Sequence, residues 1–330
     1  MILAGDVGGT KCNLALFAKD GPLLRPVFQL RLPTRDYAGF DDLIGDFLKR
    51  AYSTDSSAGR PEIEAAGFGV AGVVVEGLLH AGNLPWVLDG TAIGRKLQLN
   101  KIVLLNDLTA TAVSLEYLSC ADFAILNEGV PQPNATKAVI AAGTGLGEAT
   151  LHWDGQQYRV APSEGGQAEF APRGELEIQL LTHLNKHLPQ VSCEEIISGR
   201  GFRRIHEFLN PSVRHDSFDT PEGDSAREIT RRGLEQSCPV CVESLTLWIE
   251  MYGAEAGNMA LRTVAFGGVY VAGGIAPKIL PKLQDGSFVR AFCGKSKFAE
   301  VLARVPLSVV VNENAPVWGA AYQALSHCKS

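Results

Sequence analysis

Residues 4–17 of this chain read AGDVGGTKCNLALF, and they pair an acid with a bare, hydroxyl-flanked turn. Asp6 closes one apolar run; Gly8, Gly9, Thr10 and Lys11 follow, and a second apolar run returns. Glycine lets backbone N–H groups approach a ligand without a side chain in the way, and converging N–H groups suit a phosphate. Thr10 adds a hydroxyl donor, and Lys11 either supplies a positive charge or points to solvent. Asp6 repels a phosphate directly, so its sensible task is to hold Mg²⁺, directly or through water, against phosphate oxygens. A second such stretch is Gly143, Thr144, Gly145, Leu146, Gly147, again between two apolar runs. Its third glycine comes one residue too early for a dinucleotide fingerprint, and a strand rather than a helix follows it. A third is VYVAGGI, residues 269–275, where Gly273 and Gly274 leave a backbone flat enough to lie against a purine. The Gly294-Lys295-Ser296 triplet ends like a Walker A loop, but Val289 stands where its first glycine belongs, so it is a decoy.

Acids and amides supply the remaining chemistry. Asn106-Asp107 falls where an apolar strand gives way to a helical pattern. Either residue is a good helix cap, and Asp107 is equally placed to be a general base, since an alcohol attacks well only once its proton has an acceptor. Glu164 and Gln167 (SEGGQAEF, residues 163–170) and Glu194 (EEIISG, residues 194–199) are further polar candidates, with helix capping as the competing role for Glu194.

The elements that position these groups alternate. Strands are expected over residues 1–7, 13–17, 27–32, 62–70 and 101–105, with helices over 37–51, 92–99 and 108–118. The grammar then repeats: strands over 137–142, 148–153 and 156–160, and helices over 174–186, 199–208, 226–236 and 240–263. A strand at 268–272, a helix at 277–283, a strand at 306–310 and a helix at 316–325 follow, and 210–223 is an irregular excursion. Two strand–glycine hairpin–strand units in one α/β chain predict two lobes, a small one from residues 1–117 plus 315–330 and a large one from 118–314.

Composition narrows the partners. A net charge of −6 gives no electrostatic reason to bind nucleic acid or an anionic membrane. The arginine runs at 200–204 and 227–232 are interleaved with acids, as on solvated helix faces, with the edge of an anionic-ligand site as the alternative for one of them. No leader-like stretch or membrane-spanning run is expected, and seven scattered cysteines suit reduced thiols in a cytoplasm. Cys238 and Cys241 form a Cys-x-x-Cys pair, but no second pair or well-spaced histidines are evident beside it, so two plain thiols are expected.

The three glycine motifs, in this order and over the full length, resemble the two phosphate motifs and the adenosine motif of the actin-like ATPase superfamily, and within it the bacterial glucokinases, relatives of the ROK sugar kinases. The resemblance implies two ribonuclease-H-like α/β lobes with an interlobe cleft, ATP and Mg²⁺, a hexose such as glucose, and a homodimer, for which the helix at 240–263 is one candidate interface and a core helix the alternative. It implies that Asp107 is the catalytic base and that Asn83, Asn106, Asp107, Glu164, Gln167 and Glu194 contact the sugar. It implies that Asp6, Gly8, Gly9, Thr10, Lys11, Gly143, Thr144, Gly145, Gly273 and Gly274 serve the nucleotide. Gln167 departs from the family's histidine after Glu-Gly-Gly, and glutamine does not titrate near neutral pH. The ROK zinc cluster, Cys-x-Cys-Gly-x-x-Gly-Cys, is absent from the chain, so no metal besides Mg²⁺ is expected. Alternatives are a kinase of another hexose or amino sugar, and a sugar sensor without catalysis. A glycoside hydrolase using two of the carboxylates would leave all three glycine motifs without a task.

Overall fold

The computed structural model describes residues 1–53, 62–70, 72–75, 78–80, 84, 86, 88–218 and 224–328. It separates into two compact units, Met1–Cys120 with Asn312–Ser330, and Ala121–Val311.

The first unit opens with β1 (Ile2–Val7), β2 (Lys11–Asp20) and β3 (Leu23–Pro33). After α1 (Phe40–Ser53) come β4 (Ala65–Val70), the short strands β5 (Val73–Val75), β6 (Leu78–His80) and β7 (Leu88–Asp89), then α2 (Gly90–Leu97), β8 (Ile102–Asn106) and α3 (Asp107–Ser114). The main sheet runs β3-β2-β1-β4-β8, with β1, β4 and β8 parallel and the meander antiparallel. Both faces of β1 and β4 are apolar and buried, as the central strands of a covered sheet must be. On one face Phe40, Leu43, Ile44 and Phe47 of α1 pack against Leu3, Leu14 and Phe68.

The second unit contains β9 (Phe123–Asn127), β10 (Lys137–Ala142), β11 (Leu146–Trp153) and β12 (Tyr158–Ser163). Helices α4 (Gly174–Leu184), α5 (Cys193–Ile196), α6 (Gly199–Leu209), α7 (Ser225–Leu234) and α8 (Pro239–Thr263) follow. The unit ends with β13 (Gly268–Ala272), α9 (Leu280–Leu283), α10 (Ser287–Cys293), α11 (Ala299–Leu302) and β14 (Leu307–Val310). Its sheet runs β12-β11-β10-β13-β14-β9, so an antiparallel meander again leads into parallel strands. The last helix, α12 (Ala315–Cys328), belongs to the first unit and places Val317, Ala320, Ala321 and Ala324 in a core with Ile2, Ala4 and Ala110.

Several expected boundaries move. β2 and β3 extend well beyond 13–17 and 27–32, because a two-stranded antiparallel edge can continue past its apolar stretch on ladder hydrogen bonds alone. The expected helix at 277–283 is a 3₁₀ turn, Ala276–Ile279, before the short α9, since Pro277 and Pro281 each remove an N–H donor. The expected helix at 108–118 ends at Ser114. The small β5-β6-β7 sheet carries no distinct sequence pattern and was not anticipated. The helix expected at 240–263 is a core helix: Trp248, Tyr252, Ala256 and Met259 all lie in the second unit's main cluster.

Candidate active site

In the first unit the turn between β1 and β2 is closed by Gly8 N donating to Lys11 O at 3.1 Å. Thr34 takes up its outward carbonyls: its hydroxyl donates to Gly8 O at 2.6 Å and its amide to Thr10 O at 3.0 Å. Among the described residues no hydrogen bond uses the N–H groups of Gly9 or Thr10, so the turn keeps donors for a ligand. Lys11 is exposed at the start of β2.

Asp6, one residue before the end of β1, lies opposite Asn13 on one side and Gly69 on the other. Burial, reinforced by the negative charge of Asp107, pushes its carboxyl up to about 6, with Arg31 and Lys11 pulling the other way. Asp107 is the first residue of α3. Asn106 caps that helix, its side-chain oxygen accepting from Leu108 N at 2.9 Å and Thr109 N at 3.2 Å. Its amide donates to Gly72 O at 3.0 Å, so both ends of Asn106 are engaged by the backbone. The cap is therefore Asn106, which leaves the Asp107 carboxylate, held by Leu108 N at 2.9 Å, available for chemistry. Burial raises the Asp107 carboxyl above the ordinary range, and the backbone hydrogen bonds only partly offset this.

Asp6, half-buried and with the Asp107 carboxylate disfavouring its charge, fits a bound cation, since a divalent ion would offset that repulsion. The residues thus suit the Mg²⁺ expected at Asp6. Asn83 lies outside the described residues; Trp86 from the same segment packs on Phe40 and donates its indole N–H to Tyr37 O at 3.3 Å.

In the second unit β10 and β11 are joined by Gly143–Gly145, closed by Gly143 N donating to Gly145 O at 2.8 Å. Gly199 N, at the start of α6, donates to Gly143 O at 2.9 Å, so a helix end braces the hairpin. The exposed Thr144, and Gly145, have N–H groups that no hydrogen bond among the described residues uses. Gly273 and Gly274 come directly after β13, whose Ala272 pairs with Ala141 of β10. Register therefore brings the Gly273–Gly274 turn beside the Gly143–Gly145 hairpin. Gly273 has φ of +86°, and a Cβ there would come within 2.4 Å of Ala142 O. Only glycine fits.

Glu164 and Gln167 are exposed at the start and end of a 3₁₀ turn following β12, and Gly166 within it lies close against Leu146 O. Glu194, expected from the resemblance to contact the sugar with helix capping as the alternative, has both carboxylate oxygens engaged within the unit. One carboxylate oxygen accepts from Leu146 N at 3.0 Å and the other from Arg200 at 2.8 Å. It caps no helix; it ties α5 to the glycine hairpin. The neighbouring Glu195 pairs with Arg204. Arg231 and Arg232 bind Glu228, so the arginine runs are neutralised locally. Lys295 of the decoy motif donates to Ala254 O at 2.9 Å and Asn258 at 2.6 Å, so it is a structural lysine that ties the segment after α10 to α8.

One group that sequence reasoning missed is Glu148 on β11. Burial first, and then the charge of Glu255, raise its carboxyl to about 7. Its place on a strand of alternating pattern was visible, but its neighbour on the distant α8 was not.

Two α/β units, each carrying a donor-bearing glycine hairpin, with a half-buried carboxylate at a helix start in the first, define the fold of a sugar kinase. Solved structures agree: a glucokinase from an Antarctic psychrotroph superposes with a TM-score of 0.85 at 26% identity, covering 98% of both chains. A ROK family glucokinase from Streptomyces griseus, solved with glucose and AMPPNP, gives 0.66 at 21% identity, covering 98% of this chain and 99% of its own. The glucokinase family model matches residues 3–327, and the glucokinase of Nostoc sp. strain PCC 7120 is 36% identical over 97% of this chain and 98% of its own. The chain belongs to the glucokinase family.

Proposed function

We propose that this chain transfers the γ-phosphoryl group of ATP to the 6-hydroxyl of glucose, giving glucose 6-phosphate and ADP. The observation that carries this reading is the position of Asp107: a half-buried carboxylate at the head of a helix already capped by its neighbour Asn106. Asp107 accepts the 6-hydroxyl proton as that oxygen bonds to the γ-phosphorus, and the bridging oxygen leaves with ADP. Phosphoryl transfer asks mainly for alignment and charge neutralisation, and a positioned base adds to both.

The unused N–H donors of Gly9 and Thr10 in the first unit, and of Thr144 and Gly145 in the second, bear negative charge on the phosphates. Asp6 holds Mg²⁺, which when bound neutralises phosphate charge. The bare turn at Gly273 and Gly274 accepts the adenosine. Asn106, Glu164, Gln167, Glu194 and, in a segment the structure does not describe, Asn83 bind the sugar, with Glu194 also fixing the hairpin through Leu146. Among the described residues no helix is long and apolar enough to cross a membrane, and a cytoplasmic homodimer in glycolysis is the setting that goes with this reading.

A coupled ADP-release assay over a panel of hexoses, amino sugars and simple carboxylates, with and without Mg²⁺, tests the proposal. ADP release that depends on glucose and Mg²⁺ is the expected outcome. Glycoside cleavage without ATP, or no turnover with any sugar, overturns it.

A further inference from the structure

The pair Cys238 and Cys241 acquires partners in the fold that the sequence does not reveal. Cys238 is the N-cap of α8 and Cys241 lies in its first turn, with Pro239 between them starting the helix. His206 comes from α6, and His215 from the chain just before a 3₁₀ turn, Asp216–Phe218. One ligating atom from each of the four lies within 4.8 Å of the other three, and Cys241 Sγ is 3.3 Å from His215 Nε2. His206 is fully buried, yet neither of its ring nitrogens has a hydrogen-bond partner among the described residues. A buried imidazole with both nitrogens idle is uncommon, because polar atoms removed from water nearly always find a partner. A metal ion would be that partner.

We propose that His206, His215, Cys238 and Cys241 form a structural Zn²⁺ site. Two imidazoles and two thiolates are a donor set that zinc takes tetrahedrally, and four protein ligands leave no position for a substrate. Two thiolates balance the charge of Zn²⁺, so the assembled centre is neutral and suits its apolar wall, where the Phe218 ring meets His206 at 5.1 Å and His215 at 5.3 Å, edge to face. This differs from the ROK cluster, whose cysteines the chain lacks, and it departs from the expectation of no metal besides Mg²⁺. The site joins α6, the 210–218 excursion and α8. Because α6 begins by bracing Gly143 through Gly199 at 2.9 Å, the metal fixes the far end of the helix that holds the hairpin.

The test uses the full-length, tag-free chain, purified from zinc-supplemented cells and analysed by elemental mass spectrometry, followed by chelation under reducing conditions and titration with Co²⁺. The expected result is one zinc per chain, and a Co²⁺ spectrum with intense visible bands of a tetrahedral site plus thiolate charge transfer. Cys238→Ser and His206→Ala lose the metal, whereas Cys293→Ser, remote in sequence and outside the cluster, keeps it. Should the variants not fold, the wild-type Co²⁺ spectrum decides alone. A reduced chain that takes up neither ion, a Cys238–Cys241 disulfide whose reduction restores no metal binding, or a folded Cys238→Ser variant that retains full zinc overturns the proposal.

Discussion

Glu194 accepts the backbone N–H of Leu146 at 3.0 Å while its second oxygen takes Arg200 at 2.8 Å. A residue singled out for the sugar is thereby bonded to the first residue after the hairpin singled out for phosphate. Losing it leaves a buried N–H unpaired and removes a charge-assisted bond. Glu194→Ala is expected to raise KM for glucose and for ATP together, each by about tenfold or more. A residue that touched sugar alone would move only the glucose value. Arg200→Ala, whose partner bond is largely solvent-exposed, is expected to shift either constant by less than about threefold. Steady-state kinetics with each substrate varied separately reads both.

Gly273 is fixed by geometry rather than by preference, having φ of +86° and a 2.4 Å clash awaiting any Cβ at Ala142 O. Gly273→Ala is expected to lower stability by about 2 kcal/mol or more, and the melting temperature by several degrees. Gly274→Ala, with nothing within 4 Å of its Cβ position, is the matched control and is expected to shift stability far less. Differential scanning calorimetry compares them.

The Asp6 carboxyl, raised from 3.8 to about 6 by burial and by Asp107, makes stability depend on pH with a definite sign. Between those two values the folded chain holds more protons than the unfolded one, so this group lowers stability as pH rises through the window and leaves it lowered above. Asp6→Asn is therefore expected to be more stable than the wild type at pH 8 by about 2 kcal/mol, with the gain vanishing near pH 4, when both are measured without nucleotide or Mg²⁺. Denaturant unfolding at the two pH values measures it. The same variant is expected to lose activity if Asp6 holds Mg²⁺ as proposed.

Gln167 sits exposed on the 3₁₀ turn, so a change there leaves folding almost untouched. Gln167→His is expected to lower the KM for glucose and to widen the gap between glucose and other hexoses in the ADP assay.

Much of this was legible from local pattern. The two strand–hairpin–strand units, the glycine pair after β13 and the Asn106–Asp107 junction all announce themselves because each is a pattern of a few consecutive residues. What remained hidden depends on contacts between distant segments. Glu194 reads as a carboxylate near a helix, and nothing adjacent says that its oxygen reaches Leu146. His206 shares the buried face of α6 with Phe202 and Ile205, so it reads as a core residue. Only the packing of α6 against α8 brings it to Cys238 and Cys241. Pro277 and Pro281 shortened an expected helix, and the small sheet β5-β6-β7 has strands too brief for any alternation to register.

Asp107 is the proposed general base of the phosphoryl transfer. Glucose binding, measured by calorimetry, and ADP formation, measured by the coupled assay, are to be compared in wild type and Asp107→Asn. A general base contributes about 10²- to 10⁴-fold, so kcat is predicted to fall by that range while glucose still binds within about tenfold of wild type. An Asp107→Asn enzyme that keeps most of its kcat would contradict the assignment.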